Sequence, residues 1–183
     1  WTLTALPLFV WMGEILFRTK LSENLFKGLS PWMQKLPGGL IHVNVVGCAL
    51  FAAISGSSAA TVATVGKMSI PELRKRNYPE KILLGSLAGS GTLGLLIPPS
   101  IILIIYGVAV QESIAKLFIA GIIPGIMIAL IFMSYVIIWS LMNKKEMPKI
   151  FEEYSFFEKL RRSKQLIPVI LLILGVIGSI YTG

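Results

Sequence analysis

The sequence predicts an all-α membrane protein, a polytopic helical bundle that contains a re-entrant helical hairpin and a discontinuous transmembrane helix. Three observations predict it. Charged residues make up 14% of the 183 residues and hydrophobic ones 55%, whereas soluble domains carry about a quarter charged residues. Residues 82–109 and 117–143 hold no charge at all, and each exceeds the roughly 20 residues that cross a bilayer core. Lys and Arg cluster between the apolar runs, the pattern of cytoplasmic loops. Mean hydropathy, +0.77, agrees with lipid as the solvent.

Taken in order, residues 2–17 read as a span. Residues 21–36 are mixed, with Arg18, Lys20, Lys27 and Lys35 placed around Leu21, Leu25, Phe26, Leu29, Trp32 and Met33. That spacing suits an amphipathic arm helix at the membrane surface, with Trp32 at headgroup depth. Residues 38–65 are apolar with a weakly polar middle, and 66–81 read as a short basic loop. The charge-free run 82–109 follows, then a brief connection over 110–116 and a transmembrane helix over 117–143. Residues 144–165 form a basic, amphipathic cytoplasmic connector, and 166–183 begin another span. Neither a basic leader nor a small-residue cleavage site precedes the first span, which carries Glu14. The abrupt ends suggest an internal portion of a longer protein.

The basic residues decide how 38–65 is disposed. Four flank the arm helix, five lie in 66–81 and seven follow residue 143, so that Lys116 alone of the 17 stands elsewhere. If 38–65 crossed the membrane, its two basic flanks would lie on opposite faces. If it enters and returns on one side, all but Lys116 become cytoplasmic, as the positive-inside rule requires. Residues 38–65 are therefore expected to be a re-entrant hairpin, with 110–116 periplasmic. The same distribution accounts for the net charge of +8 without a nucleic-acid partner.

The chemistry of the segment points the same way. Its middle reads Ser55, Gly56, Ser57, Ser58, Ala59, Ala60, Thr61, a run of poor helix formers that permits a turn. Irregular backbone at membrane depth persists only where protein buries it or a water-filled cavity meets it. In 82–109, Gly85, Gly89, Gly91 and Gly94 lead into Pro98, Pro99 and Ser100. Two successive prolines remove backbone donors and clash with the preceding turn, and Pro98 pushes Ile97 from helical angles. The span is expected to be two half-helices joined by an unwound stretch over 91–100. Two interrupted elements in succession are what midplane binding sites in transporters are built from: half-helix amino-termini face anions, and unwound carbonyls coordinate cations.

The motifs over 44–61 (NVVGCALFAAISGSSAAT), 66–79 (GKMSIPELRKRNYP) and 89–100 (GSGTLGLLIPPS), with PLFVWMG at 7–13, resemble the large membrane subunit of tripartite ATP-independent periplasmic (TRAP) transporters. The resemblance covers nearly the whole chain, as the amino-terminal half of that subunit. Where the family's loop usually has Gly between Arg and Tyr, this chain has Asn77, a residue that tolerates left-handed angles.

The resemblance implies a sodium-driven symporter of the bacterial inner membrane, working by an elevator mechanism as one half of an inverted repeat. It implies a scaffold role for 1–37, a transport-domain half over 38–109, and a second hairpin beyond this stretch. It implies three partners: a small membrane subunit, a periplasmic solute-binding protein, and an organic-acid substrate such as a C4-dicarboxylate or sialic acid. It implies no cofactor beyond Na⁺ as coupling ion. Oxygen ligands suit that hard cation. The expected cation-binding residues are Ser55, Gly56, Ser57, Ser58, Gly91, Thr92 and Gly94, and the expected substrate-binding residues are Ser58, Thr61, Pro98, Pro99 and Ser100.

Blander readings stand beside these. The tip serines could back-bond to their own turn, but clustered with glycine at a hairpin tip they favour ligand contact. Gly85 and Gly89 form a small-xxx-small pair, so for Gly85 packing and unwinding are equally matched, while Gly121 and Gly125 serve packing. Glu14 within an apolar span is a functional candidate, or the partner of Arg18 one turn on. Cys48 reads as a small apolar packing residue. His42 reads as a packing or interfacial residue, and Tyr135 and Trp139 as interface anchors. A serine protease needs a base near its serine; His42 lies about 22 Å from Ser57 along a helix, which excludes that chemistry within the chain, so no enzyme is expected. A channel or a non-transporting assembly subunit stays the alternative.

Overall fold

The computed structural model describes residues 21–148 and 154–182, together with 7–8, 11–12, 14–15 and 19. The first expected span lies largely outside the described residues, and Arg18 wholly so. Among the described residues every regular element is helical. They are α1 (Leu21–Met33), α2 (Ile41–Ser55), α3 (Ser58–Lys75), α4 (Glu80–Gly91), α5 (Ile101–Ala109), α6 (Ile114–Met142), α7 (Phe156–Ser163) and α8 (Ile167–Thr182). Short 3₁₀ turns occupy Thr92–Leu95 and Lys164–Leu166.

α2 is the centre of the molecule. It is apolar on all sides, and a helix of that kind belongs inside a bundle. Phe51, Ile54 and Cys48 pack with Leu25 of α1, Val65 of α3, Leu87 of α4 and Val169 of α8. Val43 packs with Phe26, Leu29, Leu73 and Leu83, and Ile41 with Ile82 and Val136 of α6. His42 is fully buried, its Nε2 2.8 Å from the Pro37 carbonyl, so it packs rather than anchoring at an interface.

α2 and α3 fold back on one another about Gly56, and a Cβ on Gly47 would touch Val65 at 3.6 Å. The second arm is longer than the sequence suggests. Residues 66–75, expected as loop, continue α3 to Lys75 despite Pro71. Thr61, Val65, Ser69 and Leu73 are buried at helical spacing, and Arg74 and Lys75 complement the carboxyl end of the helix dipole. Charge in that stretch marks contact with water, not loss of helix. The turn to α4 holds Asn77 at φ +58°, the left-handed angle expected of it, and Arg74 bridges it, donating to Glu80 at 2.6 and 3.2 Å.

α6 has 29 residues, about 44 Å at helical rise and long enough to span a bilayer. It is long and apolar while little of it is buried, as lipid exposure requires. Its few buried positions, Phe118, Gly121, Gly125, Val136 and Ser140, form the stripe that meets the rest of the chain. Within the expected connector, α7 begins with a capping box of Ser155 and Glu158. α7 stacks on α1, where Trp32 meets Phe156 edge to face at 6.5 Å and donates to Ser163 Oγ at 2.8 Å.

Candidate functional site

Four helix ends converge where the α2–α3 turn meets the interruption between α4 and α5. α2 ends at Ser55, and Gly56 closes it in the left-handed conformation (φ 61°, ψ 7°) with its N–H on the Ala52 carbonyl. A side chain there would meet the Pro99 carbonyl at 2.7 Å, so glycine is required both by angle and by space. The Gly56 carbonyl accepts the N–H of Ile101 at 3.2 Å, which ties the turn to the start of α5.

Ser57 is extended and caps α3, its Oγ accepting from the Ala60 N–H at 3.4 Å. Thr61 Oγ1 donates to the Ser57 carbonyl at 2.8 Å and lies 3.0 Å from Ser55 Oγ. Ser55 and Thr61 are almost wholly buried. Ser58 Oγ is buried with no hydrogen-bond partner, and a buried hydroxyl without one costs free energy unless something supplies it.

The interruption is as the prolines and glycines predict. α4 stops at Gly91, a 3₁₀ turn follows, and helix resumes only at Ile101. Ser100 Oγ donates back to the Leu95 carbonyl at 2.8 Å, and the Pro98–Pro99 peptide is cis. Gly91 keeps helical angles (φ −59°, ψ −29°). α-Helix ends at Gly91 and Gly94 lies in the 3₁₀ turn beyond it, and both also permit a close approach. A Cβ on Gly94 would stand 2.8 Å from the Ser58 nitrogen, and one on Gly91 1.9 Å from Val62 Cγ2.

The structure thus brings Ser55, Gly56, Ser57, Ser58, Thr61, Gly91, Gly94 and Pro99 together. Thr92 is exposed and donates to the Gly89 carbonyl at 2.7 Å. Pro98 and Pro99 line an apolar cavity of about 270 Å³ with Ala49, Ala53, Phe118 and Ile173. α6 closes over the interruption: Cβ atoms on Gly121 and Gly125 would meet the Leu96 carbonyl and Ile97 Cγ1 at 2.7 and 2.9 Å. Gly85 has open space around it, whereas Gly89 faces Phe132 at 3.2 Å.

Electrostatically, α3 and α5 present amino-termini to this junction, and α2 and α4 present carboxyl-termini. The first pair favours an anion and the second a cation. The donors at the junction are neutral hydroxyl and carbonyl oxygens. Among the described residues no group of His, Cys, Asp and Glu could hold a metal ion. A neutral oxygen set fits a singly charged hard cation such as Na⁺ better than a divalent one, which draws on carboxylates.

Asn44 is a buried polar residue to which sequence reasoning gives no role. It donates to the Leu83 carbonyl at 3.2 Å and to Ser86 Oγ at 3.0 Å, and Ser90 Oγ donates to the Asn44 carbonyl at 3.4 Å and to that of Ser86 at 2.6 Å. This strut locks α2 to α4 just before the interruption. One signal was available: an amide in a largely apolar helix, with Ser86 and Ser90 one turn apart in the span that follows the hairpin.

A family model described as "Tripartite ATP-independent periplasmic transporter, DctM component" matches residues 1–183. The chain is 37% identical to the C4-dicarboxylate TRAP transporter large permease protein of Pseudomonas aeruginosa, over 100% of this chain and 42% of that protein. It is 34% identical to the ectoine/5-hydroxyectoine large permease protein of Ruegeria pomeroyi, over 100% of this chain and 42% of that protein. It is 36% identical to the sialic acid permease protein of Haemophilus influenzae, over 99% of this chain and 29% of that protein. The chain spans less than half the length of these relatives.

Proposed function

The chain belongs to the DctM component family of tripartite ATP-independent periplasmic transporters, and on that premise we propose that it forms one half of the binding site of a sodium-coupled importer of organic acids. The observation that carries the reading is the seating of Ser57 and Ser58 against Gly94, and of Gly56 against Pro99. It makes the hairpin turn and the helix interruption one junction with neutral oxygens and opposed helix ends.

In this reading Na⁺ binds among Ser55, Gly56, Ser57, Ser58, Gly91 and Gly94. The carboxylate substrate lies toward Ser58, Thr61 and the 98–100 stretch, held by the amino-termini of α3 and α5 and by the bound cation. Thr92, turned onto its own helix, takes a lesser part. The solute class is the C4-dicarboxylate or sialic acid kind, which the relatives' names support. A periplasmic binding protein delivers it and a small membrane subunit completes the complex in the bacterial inner membrane. α2 and α3 enter and leave on the cytoplasmic side, and the 38–109 unit moves as an elevator against the rest. A relative named as a DctMQ permease protein supports the pairing with a small subunit.

The test is uptake by the full-length transporter in proteoliposomes. Ser58→Ala and Ser57→Ala are expected to shift the sodium titration to higher concentration while insertion stays normal. An unchanged sodium titration in both would place the cation elsewhere.

A further inference from the structure

A cavity of about 240 Å³ lies where α1, the end of α3 and α7 meet, and no junction residue lines it. Phe26 and Met68 contribute an apolar floor, and Lys27, Arg76 and Arg162 contribute cations. Glu72 stands 3.8 Å from Arg76, and Lys27 pairs with Glu23. Among the described residues that line the cavity, three cations stand beside one carboxylate, Glu72, so the lining is net positive. Arg162 donates to Tyr154 Oη at 3.1 Å with its guanidinium 4.3 Å over that ring. The stacking fixes the plane of a fork that matches phosphate oxygens. Ser30 and Tyr154 add hydroxyls to the lining.

We propose that this cavity binds the phosphodiester headgroup of an anionic phospholipid. The net positive lining attracts an anionic headgroup. The neighbouring surface supplies what acyl chains need: Phe156, Phe157 and Leu160 of α7 are 69%, 80% and 52% exposed. Trp32 stands beside them with Lys159 5.6 Å above its ring, an arrangement suited to headgroup depth. Basic pockets between helices at the cytoplasmic face are a general way of holding such headgroups. The site rests on reading α1 and α7 as membrane-surface helices, and cysteine labelling of Lys75 (below) tests the side of the membrane separately.

The experiment uses the full-length transporter, purified and stripped of lipid, then titrated with phosphatidylglycerol or phosphatidylcholine of equal chain length and followed by native mass spectrometry and thermal melting. The unmodified protein is expected to retain phosphatidylglycerol in preference to phosphatidylcholine. Arg162→Gln and Arg76→Gln are each expected to bind phosphatidylglycerol about fivefold more weakly, the effect of one interfacial charge. Lys145→Gln, outside the cavity, is expected to bind as the parent does. Equal retention of the two lipids by the unmodified protein, which requires no variant to fold, overturns the proposal. So does parental affinity in both arginine variants. Inorganic phosphate that displaces the lipid and protects as well would make the ligand a free anion, and the lipid assignment would fall.

Discussion

Gly94 sits directly on the backbone of Ser58: a Cβ at position 94 would stand 2.8 Å from the Ser58 nitrogen and 2.9 Å from its Cα. Backbone cannot rotate away as a side-chain tip can, so Gly94→Ala must push the hairpin turn off the helix interruption. Overpacking of this kind costs about 1–3 kcal/mol. We expect Gly94→Ala to lower the melting temperature and to abolish uptake. Gly85→Ala, where nothing lies within 4 Å, gains helix propensity and is expected to be neutral or stabilising by up to about 1 kcal/mol. Equal melting temperatures for the two variants would mean that the close approach carries no weight.

Asn44 yields a second prediction. Its amide reaches both the Leu83 carbonyl and Ser86 Oγ from a wholly buried position. Asn44→Ala removes both bonds, leaving Ser86 Oγ without that donor while the Leu83 carbonyl keeps Ser86 Oγ as its own at 3.0 Å, at a cost of about 1–3 kcal/mol. A melting scan checks the size. A double variant with Ser86→Ala is expected to lose less than the sum of the single losses, since both break one network. Strict additivity would show that the strut is not a unit.

The turn after α3 gives a pH dependence whose sign is fixed. The Arg74 hydrogen bond, and then its charge, hold the Glu80 carboxyl below its ordinary value near 4.5. A carboxyl with a lowered folded-state pKa stabilises above the unfolded value and loses that contribution as pH falls through the folded one. The melting-temperature gap between the parent and Glu80→Gln is therefore expected to be positive at neutral pH and to close progressively below about pH 4.5. Both side chains are exposed, so the gap is small and shrinks further in high salt. A gap that stays constant with pH would rule out the ion pair as its source.

Sidedness is tested by labelling. Lys75 closes α3 at its basic end, and a Lys75→Cys variant is expected to react with an impermeant thiol reagent only from the cytoplasm. Cys48, the one cysteine of this stretch, is fully buried and adds no background. Labelling from the periplasm would mean that 38–65 crosses the membrane rather than returning.

Much of this arrangement is written in residue types. Pro98 and Pro99 forbid a continuous helix, and helix does stop at Gly91 and restart at Ile101. Gly56 among serines marks a turn, and Asn77 adopts the positive φ its small amide tolerates. What the sequence conceals is distance. That Gly91 and Gly94 also serve close contact depends on Val62 and Ser58 arriving from another helix. The ten residues of α3 beyond Val65 were obscured for a different reason: Lys67, Glu72, Arg74 and Lys75 report water, and water solvates a helix as readily as a loop. Asn44 was legible as an anomaly but not as a strut, because its partners Leu83 and Ser86 lie some forty positions along the chain.

The mouth of the hairpin carries a clasp. The Tyr78 hydroxyl accepts the Leu40 N–H at 3.0 Å, and Gly39 (φ +54°) has room for no side chain because that hydroxyl would stand 2.5 Å from its Cβ. The two ends of a 39-residue loop are thus pinned to each other, at the opposite end from Gly56. A segment closed at both ends has little freedom to fray from either. Its amides are expected to open together, as a single cooperative foldon, with protection from solvent exchange that is even along both arms.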